Sequence, residues 1–199
     1  MARVLLAVPS FDRSAKAKTL EALMNLDRAG NEVECRCFMG YSVARARNFM
    51  AQAAIDGGFD YVLMCDSDML PPADGLANLM SHDVEVCLGW GVRGSSDDGQ
   101  TSVIKPNTQG YHQSYYAREL NGMDGLIEVK GGGMCFALIN VDVFRRLSRP
   151  WFKYVDYPNG SALGEDYYFC QQCTAAGLKV HVDTRVGCGH IHDRVLEAR

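Results

Sequence analysis

The sequence predicts an α/β fold in which a mostly parallel central sheet is flanked by helices. Apolar segments suited to strands alternate with amphipathic segments suited to helices through the first 90 residues. Two of these strands, 4–8 and 61–65, are apolar throughout, which is typical of strands covered on both faces. Ligands of such sheets gather at the carboxyl ends of the strands, so functional residues are expected directly after them.

Each element follows from periodicity and from the residues that begin or end helices. Ser14 is suited to cap the first helix, Gly30 to end it, and Pro72 to begin the third. Three glycines interrupt the strand after residue 125, which indicates a close approach to the backbone or a bulge. The predicted strands are 4–8, 32–38, 61–65, 84–88, 126–139 and 179–182, and the predicted helices are 15–28, 43–55, 72–80, 141–147 and 165–176. A Gly- and Ser-rich loop at 91–125 and an aromatic loop at 151–161 separate some of them.

Composition excludes several classes of protein. The 199 residues are 47% hydrophobic and 22% charged, which suits one medium-sized folded domain rather than a disordered chain. The net charge of −4, with scattered basic residues, does not favour a protein whose main task is gripping nucleic acid. No segment has the roughly 18 apolar residues of a membrane span, and the first residues read as a core strand. We therefore expect a cytoplasmic protein without a transmembrane segment.

Two aspartates one residue apart, Asp66 and Asp68, end the apolar segment YVLMCDSDMLPP. Like charges this close raise each other's energy, and a divalent cation would resolve the conflict. Carboxylate oxygens suit Mg²⁺ or Mn²⁺, which keep open positions for phosphate oxygens. The structural alternative is a turn in which the aspartates accept backbone N–H groups.

Other polar groups lie where they could contribute to the same site. Glu165 and Asp166 open a helix, where carboxylates are also favoured simply by the helix dipole. His190 and His192 follow the last strand and are candidate metal ligands. Arg47, near the start of the second helix, could reach a diphosphate with its fork of donors or could belong to a solvated helix face.

The eight cysteines predict no disulfide framework. Cys35, Cys65, Cys87 and Cys135 lie in strand-like segments, where a thiol behaves as a small hydrophobic group, and we expect them to be reduced. The spacing of Cys170 and Cys173 suits zinc. A zinc-stapled binding module that also uses Cys188, His190 and His192 is therefore an alternative, although this CxxC lies inside a predicted helix.

Six motifs follow one another along the sequence in this order: VLLAVPS, ARARNFMAQAA, DYVLMCDSDMLPP, KGGGMCFALINVDVFRRL, LGEDYYFCQQCTAAGLKVHVD and GCGHIH. In that order the chain resembles a nucleotide-sugar glycosyltransferase of the GT-A fold, similar to the small family 2-like enzymes of bacteria and phages. The resemblance covers nearly the whole chain except 91–125. It implies a single GT-A domain: a nucleotide-binding half at 1–90, a variable loop at 91–125, and an acceptor and catalytic half with a metal-binding tail at 126–199.

The resemblance also implies roles for individual residues. Asp68 would bind the metal, Asp66 the metal or the ribose, and Arg47 would lie near the nucleotide. His190 would complete the metal site, with His192 as the second choice. Pro9, Ser10 and Asp12 would hold the nucleotide base. The glycine-rich strand, with Gly131, Gly132 and Gly133, would border the donor sugar and the acceptor.

The implied reaction moves a sugar from a nucleotide diphosphate donor to an acceptor hydroxyl, with Mn²⁺ or Mg²⁺ as cofactor. Asp166, with Glu165 beside it, would supply the catalytic base, and inversion at the anomeric carbon is favoured over retention. UDP is the favoured nucleotide and GDP the next. The acceptor stays open among a glycan, a lipid-linked sugar, a metabolite, a protein and a modified nucleobase. Tyr111, Tyr115 and Tyr116 are available to stack on its ring.

A phosphatase is the main rival among enzymes. A strand followed by DxD also resembles the opening motif of the haloacid-dehalogenase phosphatases, in which the first aspartate is a nucleophile. Asp66 would then form an aspartyl-phosphate. That motif usually lies close to the N-terminus, whereas a complete βαβαβ unit precedes it in this sequence.

Overall fold

The computed structural model describes residues 1–93, 99–106 and 113–191. The strands in chain order are β1 (Arg3–Ser10), β2 (Glu32–Met39), β3 (Tyr61–Cys65), β4 (Met69–Leu70), β5 (Val86–Trp90), β6 (Gln100–Ile104), β7 (Ser114–Tyr116), β8 (Leu126–Val129), β9 (Phe136–Asn140), β10 (Val155–Asp156), β11 (Ala162–Leu163), β12 (Val180–Gly187) and β13 (Gly189–His190). The helices are α1 (Ala17–Met24), α2 (Val43–Asp56), α3 (Gly75–Met80), α4 (Ala117–Leu120), α5 (Val141–Arg146) and α6 (Glu165–Ala175).

A seven-stranded sheet with the order β2-β1-β3-β9-β5-β12-β8 forms the centre of the molecule. Strands β1, β2, β3, β5 and β12 run in one direction, and β9 and β8 run against their neighbours. The predicted fold class, a mostly parallel sheet between helices, is confirmed. None of the described helices combines the length and the apolar character that a membrane span requires.

The strand predicted over 126–139 is wrong in one respect, because the structure divides it into β8 and β9. Val129 pairs with Val180 at the start of β12, whereas Phe136 pairs with Cys65 at the end of β3. The glycine segment that connects β8 to β9 therefore runs from the amino ends of the parallel strands to their carboxyl ends. A Cβ added at Gly132 would lie 2.8 Å from Leu88 Cδ1, so this crossing requires a glycine.

Helices cover both faces of the sheet and form two apolar layers. One layer contains the buried face of α2 with α5 and α6, and the other contains α1 and α3. Four aromatic side chains pack together in the first layer: Phe144, Trp151, Phe152 and Phe169. Their burial contributes roughly 1.5–3 kcal/mol for each ring. The aromatic loop predicted at 151–161 therefore begins as part of the core.

Three further predictions differ from the structure. Helix α1 is shorter than the predicted 15–28: Lys16, with extended backbone, stands at the N-cap instead of Ser14, and after the C-cap Asn25 the Asp27 N–H donates to the Ala73 carbonyl at 2.7 Å. Helix α3 begins at Gly75 rather than at Pro72. The predicted loop 91–125 contains a β6–β7 hairpin followed by α4, while residues 94–98 and 107–112 lie outside the described ranges. Cys35, predicted as a buried hydrophobic group, is exposed on β2.

Candidate active site

The turn after β3 and strand β13 meet at the candidate metal ligands. His190 on β13 pairs with Met69 on β4, and the Ile191 N–H donates to the Asp68 carbonyl at 2.9 Å. This short antiparallel pairing places His190 Nε2 3.3 Å from Asp68 Oδ2. The sequence separates the two residues widely, and the fold brings them together at the carboxyl edge of the sheet.

The Asp68–His190 pair has the spacing and chemistry of two ligands of one cation. His190 Nδ1 lies 3.3 Å from the Val92 carbonyl, which can only accept, so Nδ1 donates. On a ring that carries no second proton, Nε2 presents its lone pair to Asp68 Oδ2. Two acceptors facing each other are unfavourable unless a proton or a cation lies between them. Two ligand atoms that each lie about 2.1 Å from one ion, with an angle of about 100° at the ion, would be about 3.2 Å from each other.

Asp66 is directed to a different partner. Its Oδ1 accepts a hydrogen bond from Arg47 Nη2 at 2.9 Å, and burial raises the pKa of Asp66 while the Arg47 charge opposes that rise. Among the described residues no group of three His, Cys, Asp or Glu side chains is arranged to hold a metal ion. His192, the second candidate histidine, lies outside the described residues.

Arg47 is buried between two carboxylates. Its side chain is only 3% exposed, Nη1 donates a very short hydrogen bond to Glu165, and Nη2 donates to Asp66. Its Nε has no hydrogen-bond partner among the described residues. Both ends of the guanidinium fork that the resemblance assigned to the nucleotide are therefore engaged by the protein itself.

Asp166, unlike its neighbour Glu165, has no salt bridge with Arg47 among the described residues. Its Oδ1 accepts the Tyr167 N–H at 2.8 Å. Burial raises the pKa of Asp166 to about 6, with Arg47 lowering it and the charge of Glu165 adding to the rise. A carboxylate with a pKa near the working pH is suited to exchange a proton with a ligand.

A cavity of about 340 Å³ connects these groups. Asp68 and His190 lie on its wall together with Asp166, Arg47 and Gly133. Its wall also contains groups that no sequence motif marks as part of a site: Arg93, Ser102, Met134, Cys135 and Tyr154. Apart from the aromatic composition of 151–161, nothing in the sequence singles out Tyr154, and only folding brings it near Glu165; burial, together with the Glu165 charge, raises the pKa of Tyr154 to about 12.

A second cavity of about 410 Å³ adjoins the first at the aspartate turn. Pro9, Phe11 and Asp12 line it together with Asp66 and Asp68. Ser10 is nearly buried and donates to Asp12 Oδ1 at 3.0 Å, so it supports the Asp12 carboxylate rather than lining the cavity. Both volumes fall within the roughly 300–1,000 Å³ of small-molecule sites.

The predicted site residues thus occupy different places. Most of them line one or both cavities: Pro9, Asp12, Asp66, Asp68, Arg47, Gly133, Glu165, Asp166 and His190. Gly132 instead packs on Leu88 and lines neither cavity. Tyr115 is partly buried against the core near Lys105, and Tyr116 lies near Arg118. Tyr111 lies outside the described residues.

The geometry does not favour either alternative function. Cys170 and Cys173 are buried in the core layer of α6, whereas Cys188 belongs to the layer on the opposite face of the sheet, so these thiols do not converge on one zinc ion. In the phosphatase alternative, Arg47 holds Asp66 Oδ1, so the attack on a phosphate would fall to the second carboxylate oxygen of Asp66.

No family model matches the chain, and no curated protein matches it in sequence. Among the solved structures that share its fold, three are similar over nearly all of this chain at low identity. A197 from STIV has a TM-score of 0.66 and 19% identity, over 96% of this chain and 86% of its own. GalNAc-T7, solved with UDP, GalNAc and Mn²⁺, has a TM-score of 0.56 and 13% identity, over 96% of this chain and 44% of its own. TarS residues 1–349 from S. aureus, solved with UDP-GlcNAc, has a TM-score of 0.52 and 12% identity, over 98% of this chain and 60% of its own.

This chain therefore spans about half the length of the GalNAc-T7 and TarS chains that it matches. Both are GT-A glycosyltransferases. At these identities the similarity concerns the fold. The chain is a mixed α/β protein with the GT-A architecture that its sequence predicts.

Proposed function

We propose that this protein transfers a sugar from a nucleotide diphosphate donor to an acceptor hydroxyl. The observation that carries the proposal is the meeting of Asp68 and His190 at 3.3 Å on the wall of a cavity that also contains Asp166. The fold supports the same class of reaction, because two of the solved structures that share it are glycosyltransferases, one with UDP and Mn²⁺ and one with UDP-GlcNAc.

Asp68 and His190 would hold a Mn²⁺ or Mg²⁺ ion, with Asp66 close enough to contribute to the ion or to the ribose. When bound, such an ion neutralises charge on the leaving diphosphate as a Lewis acid. The cavity bounded by Pro9 and Asp12 would receive the nucleoside, with UDP favoured and GDP next. The adjoining cavity, bounded by Gly133, would receive the donor sugar and the attacking hydroxyl.

Asp166 would act as the base and Arg47 as a positioning residue. The acceptor oxygen forms a bond to the anomeric carbon as the bond to the diphosphate oxygen breaks, and the hydroxyl proton passes to Asp166. Glu165 is held by Arg47, so it orients the guanidinium rather than taking the proton. This division of roles favours inversion, since one base beside the acceptor suffices for a single displacement.

Thermal unfolding with nucleotides tests the proposal. We expect UDP or GDP with Mn²⁺ to raise the unfolding temperature more than the nucleotide and the ion do separately; binding at 100 times Kd is worth about 2.7 kcal/mol. Asp68→Asn and His190→Ala should abolish the joint effect. Asp56→Asn, which removes an exposed carboxylate on α2, should keep it. If no nucleoside diphosphate stabilises the wild-type protein with either ion, the proposal is wrong.

A further inference from the structure

The outer edge of β2 is open among the described residues. β2 pairs only with β1, where the Glu32 N–H donates to the Ala2 carbonyl at 3.0 Å and the Gly40 N–H donates to the Ser10 carbonyl at 2.8 Å. Even-numbered positions therefore direct their backbone groups toward β1. Because backbone groups alternate along a strand, Val33, Cys35, Cys37 and Met39 direct theirs outward. An edge of eight residues with unpaired donors and acceptors is a template for another strand.

Apolar side chains surround this edge on the face that carries α1. Met24 is 80% exposed and Met39 is 44% exposed. A shallow apolar cavity of about 220 Å³ lies between Leu20 and Met24 of α1 and Cys35 of β2. A partner strand beside β2 would cover part of this surface.

The opposite face of β2 carries a self-complementary pair of charges. Arg36 Nε lies 2.7 Å from Glu34 Oε1, and both side chains are nearly half exposed. The two residues are two positions apart and therefore point to the same face of the strand. When two copies of such a strand pair antiparallel about Cys35, each Glu34 faces the partner's Arg36.

We propose that two copies of this chain associate through antiparallel pairing of their β2 strands, with the two-fold axis at Cys35. In this register Cys35 and the partner's Cys35 form a hydrogen-bonded pair, as their outward backbone groups require. Glu34 and the partner's Arg36 then occupy the non-hydrogen-bonded positions, where side chains are closest. The neighbouring registers place Arg36 opposite the partner's Arg36, or Glu34 opposite the partner's Glu34, and both are unfavourable.

The pairing joins two seven-stranded sheets into one continuous sheet and covers the β2 edge of each copy. Because the strands are antiparallel, the carboxyl ends of the two sheets point in opposite directions. The candidate active sites therefore lie on opposite sides of the dimer and each is built from one copy. The proposal does not depend on the proposed transferase reaction.

Sedimentation of the whole chain over a range of concentrations tests the association. We expect a mass of twice 22.0 kDa. Arg36→Glu should raise the dimer dissociation constant about tenfold or more, because both charge pairs become repulsive. The double exchange Glu34→Arg with Arg36→Glu should restore the dimer, since it re-creates the pairs in reverse. A mass of one chain at all concentrations, or no rescue by the exchange, overturns the proposal.

Oxidative cross-linking tests the register independently. The Cα atoms of a hydrogen-bonded antiparallel pair lie about 5.5 Å apart, within the range that a disulfide spans. Cys35 and Cys37 are the two exposed cysteines of the eight. Cross-linking should be lost in Cys35→Ser and kept in Cys37→Ser. Equal loss in both variants, or loss only in Cys37→Ser, would contradict pairing about Cys35.

Discussion

Replacing the candidate base by its amide should make the metal-free protein more stable at neutral pH. Burial raises the pKa of Asp166 to about 6, so ionising this side chain in the folded protein costs free energy. Asp166→Asn removes the charge and keeps an oxygen that can accept the Tyr167 N–H. The same change should abolish transfer, because an amide cannot take the acceptor proton.

The magnitude follows from the pKa difference between the folded and unfolded chains. A rise in the pKa of Asp166 from 3.8 to about 6 corresponds to a loss of about 3 kcal/mol in the free energy of unfolding when the side chain is ionised. Partial exposure of the side chain reduces this loss to about 2 kcal/mol. The unfolded chain releases the proton first, so wild-type stability falls as the pH rises from about 4 to about 6 and stays lower above that. The gain in Asp166→Asn should therefore be near zero at pH 4 and complete at pH 7.

Urea unfolding in EDTA at pH 4 and pH 7 measures this difference. Glu165→Gln is the matched control, because it makes the same type of change in the adjacent carboxylate. It breaks the buried ion pair with Arg47 and should therefore lower the free energy of unfolding. The reasoning fails if Asp166→Asn is no more stable than the wild type at pH 7, or if its gain is the same at both pH values.

Two further substitutions test the packing of the site. Arg47→Met should lower the free energy of unfolding by about 3–5 kcal/mol, measured in urea, because Asp66 and Glu165 lose the cation they share; a smaller loss than in Glu165→Gln would contradict this. Gly133→Ala should cost about 1–3 kcal/mol, since the new Cβ would lie 2.7 Å from Ser102 Oγ. Adding Ser102→Ala should recover part of that loss, and a purely additive loss would show that the close contact is not the cause.

The sequence was sufficient to predict features that depend on local pattern. Apolar strands, helices between them and carboxylates at the end of β3 all follow from residues close together in the chain. The approach of His190 to Asp68 was expected only through the family resemblance, because a two-residue pairing of β13 with β4 leaves no periodic signal. The Arg47–Glu165 contact joins residues 118 positions apart, and each residue alone is also explained by its position near a helix start.

The position of β9 could not be predicted for a related reason. An apolar strand of five residues fits the centre of a sheet in either direction, and only the crossing of the glycine segment fixes its orientation. The exposure of Cys35 was missed because its strand lies at the edge of the sheet, and edge position depends on strand order rather than on composition.

The insertion of β9 has a consequence for how the protein is made. Among the strands of the central sheet, β3 and β5 are consecutive in the chain, yet each hydrogen-bonds to β9 and not to the other. When only residues 1–90 have been synthesised, they can form the β2-β1-β3 part of the sheet, while β5 has no neighbouring strand and a gap separates it from β3. The gap closes when residues 136–140 emerge, so the aspartate turn gains its final surroundings late in synthesis.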